Sequence, residues 1–160
     1  MIVSNTTPLV AMAMADRFDL LNRIFGQISI PRGVSREVVE EGQERPGASE
    51  VREAAWIKVV EVQPKLAVAV LVDELDSGES ETIVLAREMQ ADWVLVDERL
   101  ARRKLAMLGI PTIGTLGILL KAKEVELIET IRPEMDKLRA RGFRLTRRVY
   151  EDVLRMAEEA

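Results

Sequence analysis

Residues 2–9 read Ile2-Val3-Ser4-Asn5-Thr6-Thr7-Pro8-Leu9, and they predict the first two structural elements of the fold. Its apolar beginning is typical of a short strand. Thr6 or Thr7 can cap a helix that follows, and Pro8 suits the first turn because no amide hydrogen is required there. The stretch therefore predicts a strand that runs straight into a helix, with Asn5 at the junction.

The same strand-to-helix pattern recurs along the chain. Further strands are predicted at Ile28–Pro31, Ile57–Val62, Trp93–Val96 and Ile110–Ile113. Trp93–Val96 is continuously apolar, as expected for a strand buried on both faces. Helices with defined bounds are predicted at Leu9–Ala15, Ser49–Ala55, Leu66–Leu75, Glu79–Met89 and Leu100–Leu108. Two more should begin after N-caps at Asp16 and Ser35, and another should end at Lys123. The chain beyond about Val125 is also predicted to be helical, and Thr146 should cap its last helix.

Alternating strands and helices predict an α/β fold with a mainly parallel sheet and helices on both sides, since the crossovers between parallel strands are right-handed. Ligands in such folds bind beyond the carboxyl ends of the strands. Residues that carry chemistry should therefore lie just after strands or in the first turn of the helices that follow.

Composition narrows the chemistry that the chain can perform. Its 160 residues, 48% of them hydrophobic, suffice for one domain with a core. The absence of cysteine and histidine excludes thiolate catalysis, an imidazole base and the usual nitrogen- or sulfur-rich metal sites. The longest apolar stretch, Leu66–Val72, is too short to cross a bilayer, and no signal peptide is evident, so we expect a cytoplasmic protein that does not enter a membrane.

Charge is unevenly distributed. Lys and Arg number 23 against 27 Asp and Glu, a net charge of −4, so no global positive field attracts nucleic acid. Ile131–Arg148, however, holds seven bases and two acids, whereas Asp73–Glu81 holds five acids in nine residues. Each run could be a solvated surface.

Six residues could carry chemistry, and all of them except Asn5 have a structural alternative. Asn5 and Asp97 follow apolar strands, although Asp97 could instead cap the helix that begins near Glu98. Glu79 and Glu81 open a helix, where acids also complement the helix dipole. Glu37 and Glu40 are three residues apart and share a helical face, as many merely solvated pairs do.

The candidate residues considered together predict more chemistry than each of them does alone. Asp97, Glu79 and Glu37 can converge on one end of a parallel sheet, where repelling carboxylates stay ionised together only around a cation. Oxygen ligands favour Mg²⁺ or Mn²⁺ over Zn²⁺. The residues therefore predict divalent-metal phosphoryl chemistry without naming the substrate.

The order and spacing of several motifs resemble the PIN-domain superfamily, specifically its bacterial and archaeal PIN-like branch related to VapC-type toxins. The resemblance covers nearly the whole chain. It rests on residues 2–9, on Ile30-Pro31 with Val34 and Glu37, on residues 75–81 (Leu-Asp-Ser-Gly-Glu-Ser-Glu), on residues 95–102 (Leu-Val-Asp-Glu-Arg-Leu-Ala-Arg), on residues 113–117 and on residues 141–145.

The resemblance implies a three-layer α/β/α PIN-like domain over residues 1–160, with the helices from about 125 to 160 as a family-specific extension. It also implies a Mg²⁺- or Mn²⁺-dependent endoribonuclease that hydrolyses phosphodiesters of single-stranded RNA. A toxin–antitoxin role with a small antitoxin partner and a homodimer would be in keeping with the family. The catalytic and metal-binding positions carried over are Asn5, Glu37, Glu79 and Asp97, with Glu81 as the alternate for the third and with Thr6, Thr7 and Thr115 as residues that orient ligands or water.

Asn5 departs from the family pattern, because PIN nucleases usually have aspartate at this position. An amide offers one oxygen to a metal but no negative charge, so we expect a weakened site. A catalytically impaired RNA- or protein-binding module is therefore the alternative function. Other phosphate enzymes fit less well, because Ser4-Asn5-Thr6 lacks the acidic pair of haloacid dehalogenases and receiver domains, and no phosphate-binding Gly-rich loop with lysine follows a strand.

Overall fold

A computed structural model describes residues 1–63, 67–69 and 75–160. Five parallel strands form one sheet in the order β3-β2-β1-β4-β5. The all-parallel sheet confirms the predicted fold class. The strands are β1 (Ile2–Ser4), β2 (Ile28–Pro31), β3 (Ile57–Val60), β4 (Trp93–Leu95) and β5 (Thr112–Ile113).

Helices connect the strands and continue after the last one. In the part of the chain that the structure describes, a π-helical turn over Arg36–Glu40 extends the third helix. The helices are α1 (Thr6–Met14), α2 (Asp19–Phe25), α3 (Arg32–Ser35), α4 (Ala48–Glu53), α5 (Ser77–Glu88), α6 (Arg99–Met107), α7 (Thr115–Glu124), α8 (Arg132–Ala140) and α9 (Arg147–Met156).

The sheet separates two apolar clusters, which makes the architecture three-layered. Leu9 and Met12 of α1, Leu119 of α7 and Leu138 of α8 belong to one cluster. Val94 of β4 belongs to the other, together with the apolar side of α5 and Leu105 of α6. Buried aliphatic side chains of this kind supply most of the free energy of folding, at about 25 cal/mol per Å² of apolar surface removed from water.

Strands β1 and β4 lie side by side at the centre of the sheet. Their register pairs Ser4 with Leu95, and the amide of Asn5 donates to the carbonyl of Leu95 over 2.9 Å. The residues that follow these two strands, Asn5 and Asp97, therefore leave the sheet at the same edge. Trp93 is 43% exposed at the opposite end of β4, so burial of that strand is complete only from Val94 onwards.

Several predicted helix starts were wrong. Asp16 lies outside any helix with φ 58°, and α2 begins three residues later. Ser35 lies inside a helical stretch that starts at Arg32. The helix after β4 is capped by Glu98, whose carboxylate accepts from the Ala101 amide over 2.7 Å, and not by Asp97.

Other predictions of local structure hold or lie beyond the described residues. Thr146 caps α9, because its hydroxyl accepts from the Val149 amide. Most of the helix predicted over Leu66–Leu75 lies outside the described residues, as do Asp73 and Glu74 of the acidic run. No described helix is both long and apolar enough to cross a membrane.

Candidate functional site

The site lies where β1 and β4 end, at the carboxyl edge of the sheet. A cleft of about 910 Å³ opens there, and we call it the acidic cleft. The side chains of Glu79 and Asp97 both line it, although they are 18 residues apart in the sequence. Parallel topology produces this meeting, because successive strands point their carboxyl ends the same way. The other residues that line it include Thr7, Glu98, Arg99, Arg102, Gly114, Phe143, Arg144 and Thr146.

Asp97 is held by the first residue of α7. The Thr115 amide donates to Oδ1 over 2.8 Å, and the Thr115 hydroxyl donates to Oδ2 over 2.6 Å. Thr115 is fully buried, so this pairing fixes the carboxylate firmly. The aspartate thus accepts from the first amide of α7, whose N-terminal dipole favours a negative charge. Thr115 was predicted to orient ligands or water, and this role stays a prediction.

Gly114 leaves room for this arrangement. A Cβ atom at that position would lie 2.7 Å from Asp97 Oδ1 and 3.3 Å from Arg102 Nη1. Both distances are shorter than ordinary contacts between such atoms. The glycine therefore allows a carboxylate and a guanidinium group to approach the same piece of backbone.

Asn5 is buried at the junction of β1 and α1, with 4% of its surface exposed. It occupies the N-cap position of α1, yet its side chain makes no capping bond. Its Oδ1 instead lies 3.4 Å from the Thr82 hydroxyl on α5, which also donates to the Gly78 carbonyl over 2.7 Å. A hydroxyl has one proton, and the shorter contact takes it. The amide oxygen of Asn5 is therefore weakly satisfied and able to accept from, or bind, another group.

Glu37 lies on the π-helical turn, which the sequence did not predict. The Glu41 amide donates to the Arg36 carbonyl five residues earlier, which widens the turn. Residues three apart therefore no longer share a face. Glu37 is half-buried, whereas Glu40 is exposed.

Two contacts fix the Glu37 carboxylate. The Thr6 hydroxyl donates to Oε2 over 2.6 Å, as expected of a threonine that orients a ligand residue. A Cβ atom on Gly78 of α5 would lie only 2.6 Å from Oε1, so the glycine admits the carboxylate. Burial raises the pKa of Glu37, as do the negative charges of Asp76, Glu41 and Glu81, while the Thr6 bond works against them.

Glu79 begins α5 in a capping box with Asp76. The Glu79 amide donates to Asp76 Oδ1 over 2.7 Å, and the Asp76 amide donates to Glu79 Oε1 over 3.3 Å. Burial raises the pKa of Glu79 to about 7, with further contributions from the negative charges of Asp76, Glu98 and Glu37. Glu79 therefore has a structural role in the first turn of its helix. It coexists with a strong local excess of negative charge.

Glu81, the alternate for Glu79, has other partners. Its Oε1 accepts from the Gly33 amide in the first turn of α3 over 3.3 Å, and its Oε2 accepts from the Ser77 hydroxyl over 3.1 Å. The bond from the Gly33 amide ties α3 to α5, whereas the bond from Ser77 lies within α5. Glu81 still adds negative charge near Glu37, whose pKa it helps to raise.

The structure thus brings the predicted residues to one edge of the sheet in pairs. Glu37 interacts electrostatically with Glu79, and Glu79 shares the acidic cleft with Asp97. Within residues 1–63, 67–69 and 75–160, no three acidic side chains are grouped closely enough to hold a metal ion as they stand.

Sequence reasoning missed several contributors to the site. Asp76 and Glu98 add negative charge around Glu79, and both are N-cap residues. The sequence signal that could have identified Asp76 and Glu98 is an acidic residue immediately before a helix. Arg99, Arg102 and Arg144 place positive charge along the acidic cleft. The first two lie in a segment whose sequence pattern indicates only a basic amphipathic helix.

A parallel α/β/α sheet with carboxylates gathered at its carboxyl edge corresponds to a nuclease-type fold. A family model described as a PIN domain matches residues 1–159, so the chain belongs to the PIN-domain family. No curated protein matches the chain. PIN domains generally use divalent metal ions.

Proposed function

We propose that the protein is a Mg²⁺- or Mn²⁺-dependent endoribonuclease that hydrolyses single-stranded RNA in the acidic cleft. Its main support is geometric, because Glu79 and Asp97 line one cleft at the carboxyl edge of the sheet. Burial raises the pKa of Glu79 to about 7, and the negative charges of Asp76, Glu98 and Glu37 add to this effect. Like charges that burial holds together are stabilised by a cation bound between them. Membership of the PIN-domain family supports the same chemistry.

The donor atoms of the site fit a hard cation. They are carboxylate and amide oxygens, which Mg²⁺ and Mn²⁺ prefer. Asn5, Glu37, Glu79 and Asp97 would hold the ion, in part through water, because no three described acids are grouped closely enough to bind it together. When bound, the ion supplies Lewis-acid activation of the phosphodiester and of the attacking water.

The surrounding side chains prepare the site for the reaction. Thr115 keeps both oxygens of Asp97 in place, and Thr6 keeps Glu37 facing Gly78. Glu79 Oε2 can bind or release a proton near neutral pH, since the pKa of that carboxyl is about 7. Cations and protons therefore compete for Glu79, and Mg²⁺ affinity should rise with pH.

Arginines along the acidic cleft suit an RNA substrate. Arg99, Arg102 and Arg144 line it beside the carboxylates. Guanidinium groups bind phosphate oxygens through paired hydrogen bonds. They can hold the RNA backbone at a site whose own carboxylates would otherwise repel it.

Cleavage of a fluorescent single-stranded RNA with Mn²⁺ or Mg²⁺, with and without a chelator, tests the proposal. We expect chelator-sensitive cleavage, and we expect Asp97→Asn to lower its rate by about 100-fold or more. Substitution of a residue that only contacts a metal ligand already lowers metal affinity or activity by about 10–100-fold. Asp19→Asn is the matched control, because Asp19 is 64% exposed on α2. Circular dichroism verifies that both variants are folded. Cleavage by Asp97→Asn at the wild-type rate would contradict the assignment.

A catalytically impaired binding module is the second candidate function. Asn5, which stands where the family usually has aspartate, favours it because the site then has one negative charge fewer. RNA binding without any chelator-sensitive cleavage by the wild-type protein would favour this candidate over the nuclease.

The proposal extends to the cellular setting. We propose a cytoplasmic toxin paired with a small antitoxin, and a homodimer as its assembly. Growth arrest on expression, relieved by a co-expressed small neighbouring gene product, would support the toxin role. Light scattering measures the assembly. In α1, the helix considered for the dimer face, Leu9 and Met12 are fully buried, so only its outer residues could contact a second copy.

A further inference from the structure

A second charged surface lies on the hairpin of α8 and α9. We propose that this surface binds phosphates of single-stranded RNA that extends beyond the acidic cleft, and so makes binding depend on RNA length. The inference rests on the proposed function in taking RNA as the ligand. It does not require that the RNA be cleaved.

Four arginines surround one cleft on this hairpin, and we call it the arginine cleft. Its volume is about 530 Å³. Tyr150 lies among the arginines, and Glu151 is the acidic side chain that lines it. Such a density of guanidinium groups produces a local positive potential on a chain of net charge −4. The four arginines are Arg132, Arg139, Arg147 and Arg155.

Tyr150 orders two of these arginines. The guanidinium carbon of Arg139 lies 4.0 Å from the centre of the tyrosine ring, and that of Arg132 lies 6.0 Å away. The tyrosine hydroxyl donates to Asp136 over 2.6 Å and accepts from Arg132 Nη1 over 3.3 Å. The two guanidinium groups are therefore held in place before any ligand arrives, which reduces the entropy change on binding.

The arginines are also available to a ligand. Arg139 forms no ion pair with any acid in the part of the chain that the structure describes. Arg147, 90% exposed, pairs with Glu151 over 3.0 Å, and Arg155, 61% exposed, pairs with Asp152. Exposed pairs of this kind contribute about 0–1 kcal/mol, so a phosphate can replace the carboxylate at little cost.

The length of the surface favours a polyanion over a single phosphate. Arg132 and Arg139 are separated by seven residues on α8, and Arg147 and Arg155 by eight residues on α9. At about 1.5 Å per residue, each pair spans about 11–12 Å along its helix. A ligand that contacts both ends must carry several negative charges in a row.

Continuity with the acidic cleft favours RNA over an acidic protein segment. Arg144 and Thr146 line the acidic cleft, and the next residue, Arg147, lines the arginine cleft. The connection between α8 and α9 thus joins the two. A strand bound with one phosphodiester at the carboxylates can continue across this connection onto the arginines.

Binding of fluorescein-labelled oligouridylates in EDTA tests the inference without cleavage. A short oligomer that fills the acidic cleft alone is compared with one several times longer, over a range of salt concentrations. The variant is Arg139→Ala with Arg155→Ala, which leaves the bond from Arg132 to the Glu159 carbonyl intact. The matched control is Arg23→Ala with Arg52→Ala, because both of those arginines are exposed on other helices.

We expect the variant to bind the long RNA about tenfold more weakly than the control does, with the short RNA unchanged. The slope of log K against log salt should fall by about 0.7 for each phosphate that no longer pairs with an arginine, or about 1.4 for two. Arg139→Lys should fall between wild type and Arg139→Ala, since lysine keeps the charge without the planar fork.

Three outcomes would overturn the inference. The first is an unchanged salt slope for the long RNA. The second is an equal loss for short and long RNA, which would place the effect at the acidic cleft or in the fold. The third is displacement from the arginine cleft by polyglutamate but not by oligouridylate, which would indicate a protein partner. Length-dependent binding without cleavage would contradict only the nuclease proposal, whereas cleavage with an unchanged slope would contradict only this one.

Discussion

Two glutamates in this molecule have pKa values that shift in opposite directions. At the acidic cleft, burial and negative neighbours raise the pKa of Glu79 to about 7. At the end of α9, burial also acts to raise the pKa of Glu159, but hydrogen bonds from the Ile131 amide, Lys123 and the Arg132 amide outweigh it and lower that pKa. Only 10% of the Glu159 side chain is exposed.

The two shifts distinguish a carboxylate whose negative charge the fold stabilises from one whose negative charge it disfavours. Glu159 already has the positive partners that its charge needs, since Lys123 lies 3.0 Å away and the N-terminus of α8 donates two amide hydrogens. Glu79 is surrounded mainly by other acids. A carboxylate whose charged form the fold disfavours is a candidate for a functional residue.

The largest expected effect is the loss of folding stability when Glu159 is replaced. Glu159→Gln should lower the free energy of unfolding by about 2 kcal/mol at neutral pH, because hydrogen bonds to a charged acceptor contribute about 1.5–3 kcal/mol. Urea denaturation measures the decrease. Glu158→Gln, one residue earlier and exposed, is the control and should change stability little.

Acid should remove this difference. The lowered pKa means that Glu159 stabilises the fold fully above its ordinary value of 4.5 and loses that contribution as pH falls through its folded pKa. The stabilities of wild type and Glu159→Gln should therefore converge in acid. A constant difference from neutral pH down to full protonation would contradict this account.

The next effect concerns the acidic cleft. Asn5→Asp should tighten Mg²⁺ binding about tenfold, equivalent to about 1.4 kcal/mol, because a carboxylate adds a negative charge among ligands of the same type. Isothermal calorimetry measures the change. Asn22→Asp on α2 is the control. Unchanged affinity in Asn5→Asp would show that Asn5 does not bind the metal.

The smallest effect is the relief of repulsion around Glu79. Glu79→Gln should stabilise the metal-free protein at pH 8 by up to about 1 kcal/mol, a modest gain because a half-buried carboxylate keeps part of its hydration. Glutamine can still accept from the Asp76 amide, so the capping box survives. Thermal unfolding measures the gain, with Glu44→Gln in an exposed loop as the control.

The pH dependence of this gain follows from the raised pKa. The folded protein binds the proton of Glu79 more tightly than the unfolded chain does, so stability declines as pH rises from 4.5 to about 7. The gain in Glu79→Gln should therefore vanish near pH 4. A gain of equal size at pH 4 and pH 8 would mean that charge repulsion is not its cause.

The positions of β1, β2 and β4 could be predicted from the sequence because each is a short, mainly apolar segment that ends at or just before a polar residue or proline. Val94 and Leu95 are fully buried, as their apolar run indicated. The same logic placed Asn5 and Asp97 at the carboxyl edge of adjacent strands. Hydrophobic patterns and parallel topology were therefore sufficient to predict these strands and the placement of Asn5 and Asp97.

The details around Glu37 could not be predicted in the same way. The π-helical turn depends on a bond between Glu41 and Arg36 that competes closely with the α-helical pattern. The approach of Glu37 to Gly78 joins segments that are 41 residues apart. Neither leaves a local signal, because both are decided by how α3 and α5 pack together.

The central position of β1 has a consequence for the synthesis of the protein. β1 is translated first, yet one of its two neighbours in the sheet, β4, begins at Trp93. Until then, the Asn5 amide has no Leu95 carbonyl to bind. A nascent chain therefore emerges from the ribosome with one side of its middle strand unpaired, and no fragment released before residue 97 carries both Asn5 and Asp97. Throughout that stage of translation, the ribosome's own RNA faces a polypeptide whose site is not yet assembled.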